Sequence, residues 1–373
     1  MLRYNINGKI LALVQDMYKN AKSYVRSNAE RSDFFECNVG VRQGDNLSPL
    51  LFAMFINDFE LTLRENCKGV NLLPCNIDKK VRDEGVNVCL KLFTLLYADD
   101  TVIFAESEND LQIALNNVNK YCKKWSLKVN INKTKVVIFS RGKIRKLPVF
   151  RFGNDILEIV DDYVYLGTTF NYNHHFKKAQ NKQIIQARKA MFSLRAKSKS
   201  LNLPIDIELD LFEKLVNPIL LYGSEVWGCE ENLKEIEHFQ ISYYKQLLKI
   251  NKRSANCMAF GELGKHSIFK NIEMRMLLFW IRIVTSKTSK LSHIVYDITK
   301  SLFDLDIYRS SWIVKIKNSI DKLGLSYLWD TIGSKDAKWL ELIIKQRLDD
   351  VYSQNWHYEV NHNSHCLNYR IFK

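Results

Sequence analysis

The chain has 373 residues, and 55 Lys+Arg against 41 Asp+Glu leave a formal net charge of +14. Only 5 Pro and 14 Gly beside 46% hydrophobic residues exclude collagen-like, linker-dominated and disordered chains and allow two or three domains with cores of their own. The positive balance favours a polyanionic partner, nucleic acid or an anionic membrane surface, without choosing between them. The longest apolar stretches, at 50–56 and 276–284, fall well short of the ~20 residues that span a bilayer. MLRYNINGKI carries no apolar leader-like run. The cysteines (Cys37, Cys67, Cys75, Cys89, Cys122, Cys229, Cys257 and Cys366) are scattered without a CxxC pair. Reduced thiols serving as small core hydrophobes in an intracellular protein, cytoplasmic or nuclear, are expected.

Along the chain, residues 8–20 carry apolar side chains at helical spacing. Residues 24–41 read as a hairpin leading into a buried helix at 50–63. KLFTLLYADDTVIFA (91–105) is a β-type run interrupted by two acids. Residues 109–125 form a helix with Leu111, Ala114, Leu115, Val118 and Cys122 on one face, and Glu106, Glu108 and Asp110 near its start suit the helix dipole. Strands are expected at 136–139 and 163–169. Beyond about 175 the pattern turns helical, at 180–195 (Ile184, Ala187, Met191 and Leu194 at helical spacing), 209–221, 234–248, 273–284, 312–323 and 337–348.

Charge is unevenly placed. Residues 121–146 hold nine Lys/Arg and no acid, and residues 163–205 hold eight and again no carboxylate. Solvated faces normally mix both signs, so two acid-free stretches point to a track for a phosphate backbone.

The two acids of Tyr97-Ala98-Asp99-Asp100 are expected at the tight turn of a hairpin, because within strands one of them would face the core. Paired carboxylates at a turn suit a hard divalent cation, and two such ions ~3.5–4 Å apart are the usual device of nucleotidyl transfer. Upstream, GVRQGDNLSPLLFAMFINDFE (40–60) is a polar turn followed by Ser48-Pro49 and an apolar helix. There Arg42 and Gln43 suit phosphate and base edges, Gly44 suits a close backbone approach, and Pro49 suits a helix start. Downstream, SLKVNINKTKVVIFSRG places Lys133 and Lys135 just before a β-run, and DDYVYLGTTF is a short strand ending in Tyr165-Leu166-Gly167.

This order of blocks resembles the palm of the reverse transcriptases of non-LTR (LINE-type) retrotransposons. RQGDNLSP, LLYADDTVIF, the stretch from NNVNKYCKKWSLKVNINKTK, YLGTTF and PILLYGSEVW (218–227) carry the resemblance over roughly residues 1–230. It implies an α+β polymerase palm, an antiparallel sheet with helices, at 1–175. A helical thumb-like region at 176–300 and a helical extension at 301–373 would come next. It implies Mg²⁺, with Mn²⁺ as a substitute, held by Asp99 as principal ligand and Asp100 as its neighbour. Arg42, Gln43 and Gly44 would line the template and nucleotide pocket, Lys133 would lie near the triphosphate, and Tyr165, Leu166 and Gly167 would grip the primer. RNA template, DNA primer and dNTP are the implied partners, with no membrane.

The family pattern also has a third metal-binding Asp on a strand well upstream of RQG. Asp16, mid-helix, and Asp33, only nine positions before Arg42, are both rejected as substitutes. The chain is therefore expected to begin after that block, to expose apolar surface where the fingers and first palm strand pack, and to bind nucleic acid at most weakly without polymerising alone. A non-catalytic nucleic-acid-binding remnant is the competing reading. YADD, the RQG block and LYGSEVW weigh against an RNA-dependent RNA polymerase, and the modest apolar face of 177–199 weighs against a membrane-surface protein.

Overall fold

A computed structural model of the protein describes residues 1–19, 21–27, 30–37, 40–71, 91–140, 147–173, 175–230 and 233–372. Cys75, Cys89 and the basic residues 141–146 lie outside them. The fold is mixed α+β, with short, mostly antiparallel strand pairs and many helices. Among the described residues no helix is long and apolar enough to cross a membrane. The residues divide into two compact units: one takes the described residues up to Thr134 together with Leu147–Leu157, the other takes 135–140 and everything from Glu158 onward.

In the first unit, the apolar spacing of residues 8–20 becomes the helix Gly8–Lys19, which buries none of its residues. Ile10, Leu13 and Met17 share one face of it and stay exposed. The expected hairpin is present as two antiparallel pairings, Lys22–Ser23 with Phe35–Glu36 and Arg26–Ser27 with Glu30–Arg31. The single buried helix expected at 50–63 is instead two, Ser48–Ile56 and Phe59–Asn66, with Pro49 in the first turn as expected. The break falls at Asn57-Asp58, where the Asp58 carboxylate bonds outside the two helices. It accepts the Tyr121 hydroxyl at 2.6 Å and pairs with Arg3 at 3.4 Å. The first of the two is apolar all round yet largely uncovered: Leu50 and Phe55 are exposed.

The helix Glu108–Lys124 organises this unit. Ser107 caps it by accepting from the Asp110 N–H at 3.1 Å and donating to the Asp110 carboxylate at 2.7 Å. That hydrogen bond, with Lys68 beside it, holds the Asp110 carboxyl below the usual range. Ala114, Leu115, Val118, Tyr121 and Cys122 are buried, and Tyr121 meets Phe59 edge-on at 5.1 Å. A hairpin not expected from the sequence, Phe150–Phe152 with Asp155–Ile159, packs against this helix. Gln112 fastens it by bonding both the carbonyl and the N–H of Arg151, at 2.8 and 2.9 Å.

In the second unit, the strand expected at 136–139 is only Lys135–Val136, paired in parallel with Glu158 and Ile159. From Lys177 on, every regular element among the described residues is helical. Ile184, Ala187, Met191 and Leu194 of the helix Lys177–Ser200 are buried as the spacing predicts. Arg188, Lys189, Lys197 and Lys199 stand exposed on its other side. The helix expected at 209–221 runs Ile205–Leu215 and restarts as Asn217–Leu220, because Pro218 has no N–H to continue it. Helices Asn256–Leu263 and Leu291–Asp304 were not expected. The core centres on the fully buried Phe212, Trp227, Tyr243, Tyr244, Met276 and Trp280, with Phe212 and Tyr243 stacked at 4.0 Å. Helix Ala337–His362 closes over Ile268–Val284 through Leu340, Ile344 and Leu348. Cys257 and Cys366 are wholly buried with their sulfurs 3.0 Å apart, and burial with that contact pushes the Cys257 thiol up to about 12.

Candidate active site

The strands Thr94–Tyr97 and Asp100–Ile103 pair antiparallel from Thr94 opposite Ile103 to Tyr97 opposite Asp100. That register leaves Ala98 and Asp99 as a two-residue connection, with Ala98 in the left-handed region at φ 53°. The buried Thr94 hydroxyl donates to the Val102 carbonyl at 2.8 Å, and Phe104 N–H reaches Phe93 O at 3.0 Å, extending the ladder. Asp99 therefore sits in the turn, and Asp100, expected there too, heads the return strand. Both carboxylates are exposed. Among the described residues no group of three or more His, Cys, Asp or Glu side chains is placed to hold a metal ion. Asp16 is exposed on its helix and Asp33 exposed in the first hairpin.

Arg42, Gln43 and Gly44 occupy an exposed turn ahead of the Ser48–Ile56 helix. Its anchor is Ser48, which donates to the Arg42 carbonyl at 2.6 Å and meets the Tyr18 hydroxyl at 3.2 Å. The Arg42 guanidinium donates to Met17 O at 2.7 Å and lies 5.7 Å from the centre of the Tyr18 ring, so within this unit it already holds the turn onto the first helix. Gly44 has φ 84° with nothing within 4 Å of where a Cβ would be. Its local requirement is the left-handed backbone rather than a close neighbour. Lys133 is exposed in the turn at 131–133, whose Asn130 side chain accepts the Lys133 N–H at 3.2 Å. Lys135 pairs with Glu158.

Tyr165, Leu166 and Gly167 belong to the second unit. The single strand expected there is a hairpin, Asp162–Tyr165 with Thr168–Asn171, and Leu166-Gly167 form its turn. Nothing in the pattern of LYGSEVW discloses that its Tyr222 reaches this turn, donating to the Leu166 carbonyl at 2.7 Å. Trp227, from the same stretch, is fully buried and donates to Tyr222 O at 2.8 Å.

Residues 3–170, which hold the acidic hairpin, the RQG turn and the Leu166-Gly167 hairpin, match the reverse transcriptase (RNA-dependent DNA polymerase) family. Over these residues the chain is similar to that family. The matched region and the helices beyond it have relatives in mobile elements. A transposon-derived protein of Caenorhabditis elegans is 30% identical over 151 residues, 39% of this chain and 52% of that protein. The RNA-directed DNA polymerase from mobile element jockey of Drosophila funebris is 23% identical over 256 residues, 66% of this chain and 25% of that protein. The Pol polyprotein from the type-2 retrotransposable element R2DM of Drosophila melanogaster is 28% identical over 165 residues, 42% of this chain and 14% of that protein. The chain thus spans about half of the first relative's length and a quarter or less of the polymerases'. Reverse transcriptases generally work with a divalent metal ion.

Proposed function

We propose that this chain supplies the palm hairpin and a helical thumb-like region of an RNA-templated DNA polymerase that takes RNA template, DNA primer and dNTP. The observation that carries the reading is the apex of the Thr94–Tyr97/Asp100–Ile103 hairpin: two adjacent carboxylates stand exposed there, inside reverse transcriptase sequence. Hard oxygen donors fit Mg²⁺, with Mn²⁺ as a substitute. Bound there, the ion supplies charge neutralisation at the attacking and leaving oxygens of phosphoryl transfer. Asp99, projecting from the turn, is the principal ligand and Asp100 its weaker neighbour. Lys133 faces the triphosphate and steadies the leaving pyrophosphate. Arg42, Gln43 and Gly44 line the template and nucleotide pocket, Arg42 exchanging its Met17 contact for phosphate. Tyr165, Leu166 and Gly167 hold the primer end, and the exposed Arg188, Lys189, Lys197 and Lys199 attract the phosphate backbone.

Two carboxylates offset only part of the charge of two divalent ions, and each 1.36 kcal/mol lost in the transition state is tenfold in rate. With no third acid beside them among the described residues, the chain alone is expected to bind primer–template and extend it little. The same observation favours a second reading, a nucleic-acid-binding remnant without chemistry.

Metal binding can be tested apart from turnover. Fe²⁺ with ascorbate should cleave the backbone near residues 97–101, cleavage should be competed by Mg²⁺, and Asp99→Asn should reduce it about tenfold or more. Cleavage that ignores Asp99→Asn would remove the metal site from this hairpin.

A further inference from the structure

The Leu166-Gly167 turn is poorly specified by its own residues. Tyr165 and Thr168 close it as a pair, and both residues between them are left-handed, with φ 48° at Leu166 and 78° at Gly167. Two-residue hairpins of this shape favour Asn or Asp at the first position, whose short side chains bond the local backbone. Leu166 has no such group, is exposed, and its left-handed backbone costs on the order of 1 kcal/mol or more. Something outside the hairpin has to offset that cost.

Tyr222 does so twice. Its hydroxyl donates to the Leu166 carbonyl at 2.7 Å. Its ring lies against Gly167, where a Cβ would come within 3.0–3.3 Å of the ring and hydroxyl, tighter than ordinary contact. Tyr222 is itself held, because its carbonyl accepts the indole N–H of the fully buried Trp227 at 2.8 Å. The next residue, Gly223, has φ 74° and lies beside Thr168, with the Thr168 hydroxyl 3.2 Å from its ideal Cβ position. The hairpin turn and the stretch at 222–227 are thus one packed piece, although the family match ends at residue 170.

We propose that Tyr222 is a positioning residue for the primer-gripping turn: it fixes Leu166-Gly167 in a shape the turn would not keep alone, so the working part of the polymerase region extends past the family match to Trp227. The inference rests on the reading of this turn as the primer contact.

Tyr222→Phe removes the hydroxyl and keeps the ring at a half-exposed position, so the chain should fold. Hydrogen exchange of a peptide covering 162–172 is expected to quicken about fivefold in the turn amides, the worth of one hydrogen bond. Affinity for primer–template should fall severalfold, with affinity for single-stranded template unchanged. Adding Leu166→Asn, which suits the left-handed position, should restore slow exchange in the Tyr222→Phe background. Unchanged exchange in Tyr222→Phe would overturn the inference. Faster exchange with full primer–template affinity would leave the clamp standing and overturn the primer reading on which its function rests.

Discussion

Trp280→Ala is expected to cost the helical unit about 3–5 kcal/mol, the range for removing a large aromatic from a core. Trp280 is fully buried, its indole N–H donates to the Tyr296 hydroxyl at 3.0 Å, and its ring lies over Trp329 at 6.5 Å with 25° between planes. The substitution opens a cavity between the helices Ile268–Val284 and Leu291–Asp304. It also strips a donor from Tyr296, whose hydroxyl burial already pushes up to about 12. Urea unfolding followed by far-UV circular dichroism measures the loss. Trp339→Ala, at a residue 42% exposed, is the control and should cost less than about 1 kcal/mol. Equal losses would mean that the core is not where the structure places it.

Gly228→Ala should also destabilise strongly, at about 3 kcal/mol, near the upper end for overpacking. Gly228 has helical φ of −64°, so its backbone would accept any residue. Space is what excludes a side chain. A Cβ there would lie 2.5 Å from Ser224 O, 2.6 Å from Ile272 Cγ2 and 2.8 Å from Met276 Sδ. Two of these neighbours belong to Ile268–Val284, so the turn carrying Tyr222 and Trp227 would be levered off its support. The same unfolding assay should show Gly333→Ala, which meets nothing within 4 Å, within about 0.5 kcal/mol of the parent. A neutral Gly228→Ala would contradict the packing of 224–228 on that helix.

The features legible in the sequence and those hidden from it divide on physical grounds. The acidic hairpin was readable because adjacent carboxylates between β-forming runs sit at low cost only at an exposed tip, although Asp99 alone lies in the turn and Asp100 begins the return strand. The buried face of Lys177–Ser200 was readable because its apolar residues keep helical spacing. The break at Asn57-Asp58 was not, and the partner of its Asp58 carboxylate, Tyr121, lies 63 residues away. The same holds for Arg42, whose guanidinium takes a carbonyl 25 residues upstream, and for Tyr222, whose partner lies 56 residues before it. The hairpin at 150–159 does carry a local signal, one unrelated to the acids: Phe150 and Phe152 alternate with Arg151 ahead of a Gly-Asn-Asp turn. Helix Asn256–Leu263 is short and holds Gly261 in its interior, so its pattern is weak.

Primer extension by the purified chain tests the central claim most directly. It uses an RNA template, a DNA primer, dNTPs and Mg²⁺ beside Asp99→Ala, with primer–template binding measured across salt. The expected result is binding in both proteins that weakens steeply as salt rises, with no extension above the Asp99→Ala background. Extension by the parent chain that disappears in Asp99→Ala would contradict it, since two carboxylates would then support chemistry that is expected here to need a third.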